Sequence, residues 1–204
     1  KAKAASYRMA VLPAETKNAA LIAMADAIQN RAAAILRANA ADVADALKAK
    51  LAPPLIDRLR LTEKKLAQTV QGVRDVAALP DPVGETIEET TRPNGLVIRR
   101  VRVPLGVVAI VYEARPEVAA DASSLALKSG NAVVLRGSSS ARRSDSEIVA
   151  AAASALKGSG LPDGALALAS GGGHEALALL ASQDRYLDLL IPRGGEALKA
   201  ALKK

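Results

Sequence analysis

The 204-residue sequence contains no cysteine, phenylalanine or tryptophan, and His174 is its only histidine. The absence of cysteine excludes a disulfide framework, a thiolate zinc site and a cysteine nucleophile carried by this chain. One histidine leaves a Ser-His-Asp triad or a histidine-rich metal site without any supporting residue pattern. We therefore expect neither a catalytic residue nor a metal site within these residues.

Aromatic side chains are nearly absent as well, since three tyrosines supply all of them. Half of the residues are hydrophobic and 24% are charged, a mixture typical of globular domains, so aliphatic residues must form the core. Unbroken apolar runs such as Val107–Tyr112 are far too short to cross a bilayer, and no signal-peptide pattern opens the chain. We expect a soluble, cytoplasmic protein.

The formal net charge is +7 and the sequence pI is about 9.8. Such a balance is compatible with nucleic acid, with a phosphate-bearing or acidic small molecule, or with a basic solvated surface. The sequence contains no recognition-helix, zinc-finger or aromatic RNA-binding motif, which counts against nucleic acid. Charge alone leaves the other two interpretations open.

The first 84 residues are predicted to be helical. Apolar residues recur at three- and four-residue spacing over 21–36, which places them on one helix face. The Pro53-Pro54 pair is expected to break the chain, and a further helix is expected after Thr62, whose hydroxyl can cap it. We expect three helices here and no chemistry.

Residues 85–103 change to a strand-like alternation on either side of a Pro93-Asn94-Gly95 turn, which predicts a β-hairpin. Neither face of this hairpin is cleanly apolar. We therefore expect it to project from the body of the protein or to pair with the edge of another copy, giving a homo-oligomer.

From residue 104 onward the pattern alternates between strand and helix. Strands are predicted at 105–111, 132–135, 165–169 and 187–191, and helices at 118–128, 144–157, 174–181 and from 196. Four strands alternating with helices predict an α/β fold with a doubly wound, open parallel sheet of the Rossmann-like type. In such a sheet, ligands bind outside the carboxyl ends of the strands.

Two of the predicted strands are followed by residues suited to phosphate. Arg136, Gly137, Ser138, Ser139 and Ser140 follow the second strand, with Arg142 and Arg143 at the next helix start. Pro192, Arg193, Gly194 and Gly195 follow the fourth and open the last helix. Small residues, capping hydroxyls and a helix N-terminus together suit a phosphate, while a capped loop and a tight turn explain the same residues without a ligand.

Glu113 and Arg115 follow the first strand and form either a substrate clamp or an ordinary loop salt bridge. The Gly171, Gly172 and Gly173 run follows the third strand but lacks the spacing of a dinucleotide fingerprint, so a flexible turn is predicted. His174 is expected at the surface or at a helix cap.

Seven motifs, in order along the chain, resemble those of the gamma-glutamyl phosphate reductase family of proline biosynthesis. They are Asp81-Pro82-Val83-Gly84, Arg92-Pro93-Asn94-Gly95-Leu96, Val101-Arg102-Val103-Pro104-Leu105-Gly106-Val107, Tyr112-Glu113-Ala114-Arg115-Pro116, Leu127-Lys128-Ser129-Gly130-Asn131-Ala132, Leu135-Arg136-Gly137 and Ile191-Pro192-Arg193-Gly194-Gly195. The resemblance covers the whole chain and implies membership of the aldehyde dehydrogenase superfamily.

The resemblance further implies NADPH-dependent reduction of L-glutamyl 5-phosphate to L-glutamate 5-semialdehyde with release of phosphate. By position, Arg136 to Ser140 and Pro192 to Gly195 would bind NADP(H). Glu113 and Arg115 would meet the substrate. Ser139 stands where relatives that prefer NAD often have a glutamate, and serine among arginines suits a 2′-phosphate. At Glu117 the family commonly has a threonine or asparagine nearby, which leaves the substrate contacts of that loop open.

The resemblance also implies a longer enzyme whose catalytic domain holds the cysteine nucleophile. Under this interpretation residues 1–204 form a cofactor-binding domain with a helical part (1–84), a projecting hairpin (85–103) and a βα nucleotide-binding core (104–204). The alternative is a non-catalytic nucleotide-binding module of the same fold, and a basic nucleic-acid binder is a more remote third possibility.

Overall fold

In a computed structural model of the chain, the structure describes residues 1–169 and 173–202. Along the chain, five helices come first, a β-hairpin follows, and strands of a parallel sheet then alternate with helices. The helices are α1 (Ala2–Met9), α2 (Ala14–Asn30), α3 (Ala32–Lys48), α4 (Pro53–Leu59), α5 (Glu63–Ala78), α6 (Glu117–Lys128), α7 (Arg142–Gly158), α8 (Gly173–Ala181) and α9 (Glu196–Leu202). The strands are β1 (Thr86–Thr91), β2 (Val97–Val101), β3 (Val107–Tyr112), β4 (Ala132–Arg136), β5 (Leu166–Leu168) and β6 (Leu189–Arg193).

The helical region contains five helices, so the expectation of three was wrong. The apolar stripe over 21–36 belongs to two helices, because the chain bends by 65° between α2 and α3 at Arg31, whose backbone is not helical (φ −97°, ψ 9°). Pro53 and Pro54 begin α4 instead of only breaking the chain, since proline is compatible with the first helical positions. The predicted cap of α5 is confirmed: Thr62 Oγ1 accepts a hydrogen bond from the Lys65 N–H at 3.2 Å.

The predicted doubly wound sheet is confirmed. Four parallel strands lie in the order β5-β4-β3-β6, and β3, the first of them in sequence, is central and fully buried. Strand order reverses between β3 and β6, which is the position where such sheets bind ligands at their carboxyl edge.

The main core lies on one face of this sheet. Alternate β3 residues Val108, Ile110 and Tyr112 pack in one buried cluster with apolar residues of α2, α5, α6 and α7. The opposite face is partly covered by α1, where Ala5 packs against Val107 and Ala132. The N-terminal helices and the sheet therefore share one hydrophobic core.

The predicted hairpin is present, and every residue of β1 and β2 is exposed. Its strands pair antiparallel with an irregular register between Thr86 and Glu88. Two cross-strand ion pairs link Glu89 with Arg99 and Glu88 with Arg100. Exposed ion pairs contribute little, about 0–1 kcal/mol each, so the hairpin is held mainly by its backbone ladder.

Within residues 1–169 and 173–202 no single helix is long and apolar enough to cross a membrane, although α2 and α3 taken together across their bend reach that length and hydropathy. The flexible turn predicted at Gly171 and Gly172 lies outside the described residues, as does the side-chain environment predicted for His174. Gly173 begins α8 with a φ of 81°.

Candidate functional site

The predicted binding residues meet at the carboxyl edge of the sheet. Tyr112 at the end of β3 is in register with Arg193 of β6, and Val111 is in register with Arg136 of β4. Two cavities lie along this edge, and none of the described residues lines both of them. The β4 cavity is lined by Gly137, Ser138, Ser139, Arg142, Asp145, Ser146, Leu168 and Ala169. The arginine cavity is lined by Leu55, Arg58, Tyr112, Glu113, Ala114, Arg115, Val118, Arg193, Gly194 and Gly195.

The β4 cavity has a volume of about 170 Å³ and combines a cation, hydroxyls and a small apolar wall. Ser139 and Arg142 are exposed, and neither side chain has a hydrogen-bond or ion-pair partner among the described residues. The Ser138 and Ser140 hydroxyls are 2.6 Å apart and bond each other. Donors facing a small cavity beside Leu168 and Ala169 suit a sugar phosphate attached to an apolar ring.

A glycine is required at position 137 because a buried carboxyl occupies the space beside it. A Cβ built on Gly137 would lie 1.8 Å from Asp145 Oδ2 and 3.1 Å from Tyr112 Cε2. Asp145 is 2% exposed, and in the part of the chain that the structure describes its Oδ1 and the Tyr112 hydroxyl have no hydrogen-bond partner of normal geometry. The loop therefore packs over a buried acid that was not among the predicted site residues.

Burial raises the pKa of Asp145 to about 8. The adjacent Tyr112 hydroxyl lowers that pKa by less than burial raises it, and the neighbouring charges of Asp42 and Glu117 add to the increase. Burial likewise raises the pKa of Tyr112, with the Asp145 charge as a second cause. The Asp145 carboxyl is therefore mostly neutral at pH 7. A neutral carboxyl beside the β4 cavity does not repel a bound phosphate.

Arg143 does not join Arg136 and Arg142 at this cavity, contrary to the predicted clustering of three arginines. Its guanidinium pairs with Asp42 at 3.2 Å and Asp45 at 2.8 Å, both on α3. Asp42 also accepts hydrogen bonds from the backbone N–H groups of Arg143 and Ser144. A carboxylate from α3 thus caps the N-terminus of α7, which removes that helix end as a phosphate site.

Arg136 immediately precedes Gly137 in the chain but does not line the β4 cavity, and its side chain is engaged with the backbone. Its guanidinium donates to the Gly173 carbonyl oxygen at 2.7 Å, at the start of α8. Arg136 thereby connects the end of β4 to the segment that follows β5. Its position fits a role in holding α8 near a ligand.

The arginine cavity brings together two sets of predicted residues. The Glu113 carboxylate accepts a hydrogen bond from the Gly195 N–H at 3.3 Å. A Cβ built on Gly194 would lie 2.8 Å from Glu113 Cδ and 2.7 Å from Leu198 Cδ2, so this turn needs glycine for close packing. The predicted substrate residues and the predicted glycine turn therefore form one site.

Two charged lining residues were missed from the sequence. Asp145 sits on the buried face of α7 with Ile148, Val149 and Ala152. An acid on an apolar helix face was the available signal. Arg58 reaches the arginine cavity from α4, and nothing in its local sequence indicates this contact.

This chain belongs to the aldehyde dehydrogenase family, whose family model matches residues 1–196. Enzymes of this family are oxidoreductases that use nicotinamide cofactors. The membership of the aldehyde dehydrogenase superfamily that the motifs predicted is therefore confirmed, and so is the predicted fold class.

Among individual relatives, the chain is 50% identical over 196 residues to the gamma-glutamyl phosphate reductase of Geobacillus thermodenitrificans, covering 96% of this chain and 47% of that protein. The crystal structure of gamma-glutamyl phosphate reductase from Thermotoga maritima matches with a TM-score of 0.95 and 36% identity, over 99% of this chain and 49% of that one. The Saccharomyces cerevisiae structure of the same name matches with a TM-score of 0.93 and 33% identity, over 99% and 51% of the two chains. The chain spans about half the length of the relatives it matches.

Proposed function

We propose that this chain is the cofactor-binding part of an NADPH-dependent reductase that converts L-glutamyl 5-phosphate to L-glutamate 5-semialdehyde in proline biosynthesis. The relatives that match nearly all of the chain carry the name of that enzyme. The observation that carries the cofactor assignment is the β4 cavity, where the Arg142 guanidinium and the Ser139 hydroxyl lack a partner among the described residues.

The β4 cavity fits the 2′-phosphorylated ribose of NADPH. Arg142 and Ser139 would hold the phosphate, Gly137 would lie beside the ribose, and Leu168 and Ala169 would contact the adenine. Gly194 and Gly195 would lie near the cofactor at the β6 turn. In this turn the Gly195 N–H donates a hydrogen bond to the Glu113 carboxylate. The cofactor supplies a hydride when bound, and the residues of this chain bind and orient it.

In this proposal residues 1–204 form one cofactor-binding domain, with 1–84 and 104–204 sharing a core and 85–103 reaching toward a second copy. Exposed apolar side chains on the hairpin, among them Ile98 and Val101, support pairing with another chain.

The chain contains no cysteine, so the nucleophile that the family mechanism needs is not supplied by these residues. We expect the purified 204-residue polypeptide to give no turnover with glutamyl phosphate and NADPH in a steady-state assay. Turnover above background would contradict the proposal.

Calorimetric titration of NADPH and NADH into the 204-residue chain tests the cofactor assignment. We expect NADPH to bind at least about tenfold more tightly, since a charge-assisted hydrogen bond contributes about 1.5–3 kcal/mol and 1.4 kcal/mol is tenfold. Salt should reduce the preference, because Arg142 is exposed. Equal affinities for the two cofactors at low salt would contradict it.

Single-residue variants distinguish the proposed roles of Arg142 and Arg136 in cofactor binding. Arg142→Ala should remove most of the preference for NADPH, because it removes the unpaired guanidinium at the cavity. Arg136→Ala should weaken both cofactors alike, because Arg136 holds the Gly173 carbonyl. Arg37→Ala is the matched control: Arg37 is an exposed arginine on α3 that lines neither cavity. A preference that survives Arg142→Ala and falls with Arg136→Ala would move the phosphate contact to Arg136.

A further inference from the structure

Arg142 and Asp145 are the charged residues in the described wall of the β4 cavity. They lie one turn apart on α7, yet in the part of the chain that the structure describes they form no ion pair with each other. Arg142 is exposed, whereas Asp145 is 2% exposed and its Oδ1 has no hydrogen-bond partner of normal geometry. The cavity wall therefore carries a net positive charge when the Asp145 carboxyl holds a proton, and no net charge when the carboxyl is ionised.

The groups packed against Asp145 favour, on balance, the protonated carboxyl. The Tyr112 hydroxyl of β3 stabilises the ionised form, but Asp42 of α3 and Glu117 of α6 add negative charge nearby, and β5 contributes only leucine and alanine. Asp42 is fixed in place, since its carboxylate accepts hydrogen bonds from the N–H and the hydroxyl of Ser144. A carboxyl that loses hydration beside two other acids, without a paired cation, is more stable when neutral.

Basic side chains of the elements around Asp145 are bound by other groups. The ion pairs join Lys17 of α2 with Asp81, Arg31 at the end of α2 with Glu147, and Arg143 of α7 with Asp42 and Asp45. Lys128 of α6 donates to the Asn18 side chain and the Ala77 carbonyl oxygen. None of these cations contributes to the shift of the Asp145 pKa, so burial dominates and raises that pKa to about 8.

We propose that Asp145 is a specificity-determining residue of the β4 cavity: the protonated carboxyl allows a phosphate group to bind beside Arg142, and the ionised carboxyl opposes it. This inference rests on the proposed function, because the phosphate is the 2′-phosphate of NADPH. Two negative charges repel each other more strongly at a partly buried site than in water. The 2′-phosphate is the group that distinguishes NADPH from NADH, so the preference between the two cofactors follows the proton on Asp145.

The test is calorimetric titration of NADPH and NADH into the 204-residue chain at pH 7, 8 and 9 and at constant ionic strength. A phosphate monoester has its second pKa at about 6, so the charge of the 2′-phosphate is nearly constant over this range. At pH 9 about one tenth of the protein holds the proton on Asp145, so NADPH binding should weaken about tenfold between pH 7 and pH 9. NADH should weaken much less, because it lacks the 2′-phosphate.

Proton uptake by the wild-type chain is a second measurement that needs no variant. Binding of NADPH at pH 8 should take up about half a proton, because the bound state keeps Asp145 protonated. Titration in two buffers of different ionisation enthalpy measures this uptake as a difference in apparent binding enthalpy. NADH should take up less.

Asp145→Asn replaces the carboxyl with an uncharged amide of the same size. The pH dependence of the NADPH preference and the proton uptake should both disappear in this variant. Asp57→Asn is the matched control and should keep both, since Asp57 is an exposed aspartate of α4 outside the β4 cavity. Circular dichroism at each pH checks that every protein is folded.

A preference for NADPH that falls with pH in wild type and Asp57→Asn, but not in Asp145→Asn, supports the proposal. A preference that is constant from pH 7 to pH 9 in wild type, or that falls equally in Asp145→Asn, would overturn it. Equal weakening of both cofactors with pH would also overturn it, because discrimination would then be independent of Asp145. Absence of any NADPH preference at pH 7 contradicts the proposed function instead, so the two failures are distinguishable.

Discussion

Replacing Asp145 by asparagine should change the pH dependence of folding stability. The carboxyl is 2% exposed, and burial raises its pKa to about 8. An aspartate in the unfolded chain has a pKa of about 3.9. Between about pH 4 and pH 8 the folded state therefore holds about one more proton at this site than the unfolded state does.

The sign follows from that difference in bound protons. Because the folded state binds more protons in this window, the free energy of unfolding falls as pH rises. The slope from this one group is about 1.4 kcal/mol per pH unit, so the loss accumulated by pH 8 is on the order of 5 kcal/mol. The amide of an asparagine at this position would remain neutral at every pH. The Asp145→Asn variant should thus gain stability relative to wild type as pH rises from 5 to 9.

Urea unfolding of wild type and variant at several pH values between 5 and 9 measures this difference. Circular dichroism is the suitable signal, since the chain has no tryptophan. The interval contains few other titrating groups because there is only one histidine. Asp57→Asn, at an exposed aspartate of α4, is the control and should run parallel to wild type. Parallel curves for Asp145→Asn as well would refute the assignment of a buried, protonated carboxyl.

Three further changes test packing, a buried ion pair and assembly. Gly137→Ala places a Cβ against the Asp145 carboxyl and should cost about 1–3 kcal/mol in urea unfolding. Lys17→Met removes the buried ammonium, 1% exposed, that lies 2.7 Å from Asp81. It should cost about 3 kcal/mol in the same assay, because the largely buried Asp81 carboxylate loses its ion-pair partner and keeps the Val83 N–H hydrogen bond. Under the proposed pairing of two copies through the hairpin, Ile98→Glu puts a charge on the exposed hairpin and should lower the mass measured by light scattering from dimer to monomer.

Each of these three substitutions has a control or an outcome that would contradict its prediction. Gly158→Ala should cost little, since a Cβ there meets nothing within 4 Å, and an equal cost at both glycines would contradict the packing argument. Lys64→Met, at an exposed lysine, should leave stability unchanged. If Lys64→Met lowered the free energy of unfolding as much as Lys17→Met, the change in net charge alone would be responsible, and the argument from burial would be contradicted. A wild-type chain that is already a monomer contradicts the hairpin interface.

Local sequence determined many of the elements of this fold, although not the number of N-terminal helices. The apolar run of β3, the strand–helix alternation after residue 104 and the cap at Thr62 were all predicted, because each depends on the spacing or side chain of near neighbours. The break at Arg31 was not, since the apolar spacing continues from α2 into α3 while the backbone turns.

The candidate site was decided only in part by sequence. Residues that follow strands β3, β4 and β6 could be placed at one edge, because parallel strands end together. The partners of those residues could not be predicted. Arg143 pairs with Asp42, 101 residues earlier, and Arg58 reaches a cavity formed by residues near 113 and 193. Such pairings depend on how the helices pack against the sheet, so only the tertiary structure decides which arginines are already paired and which are available to a ligand.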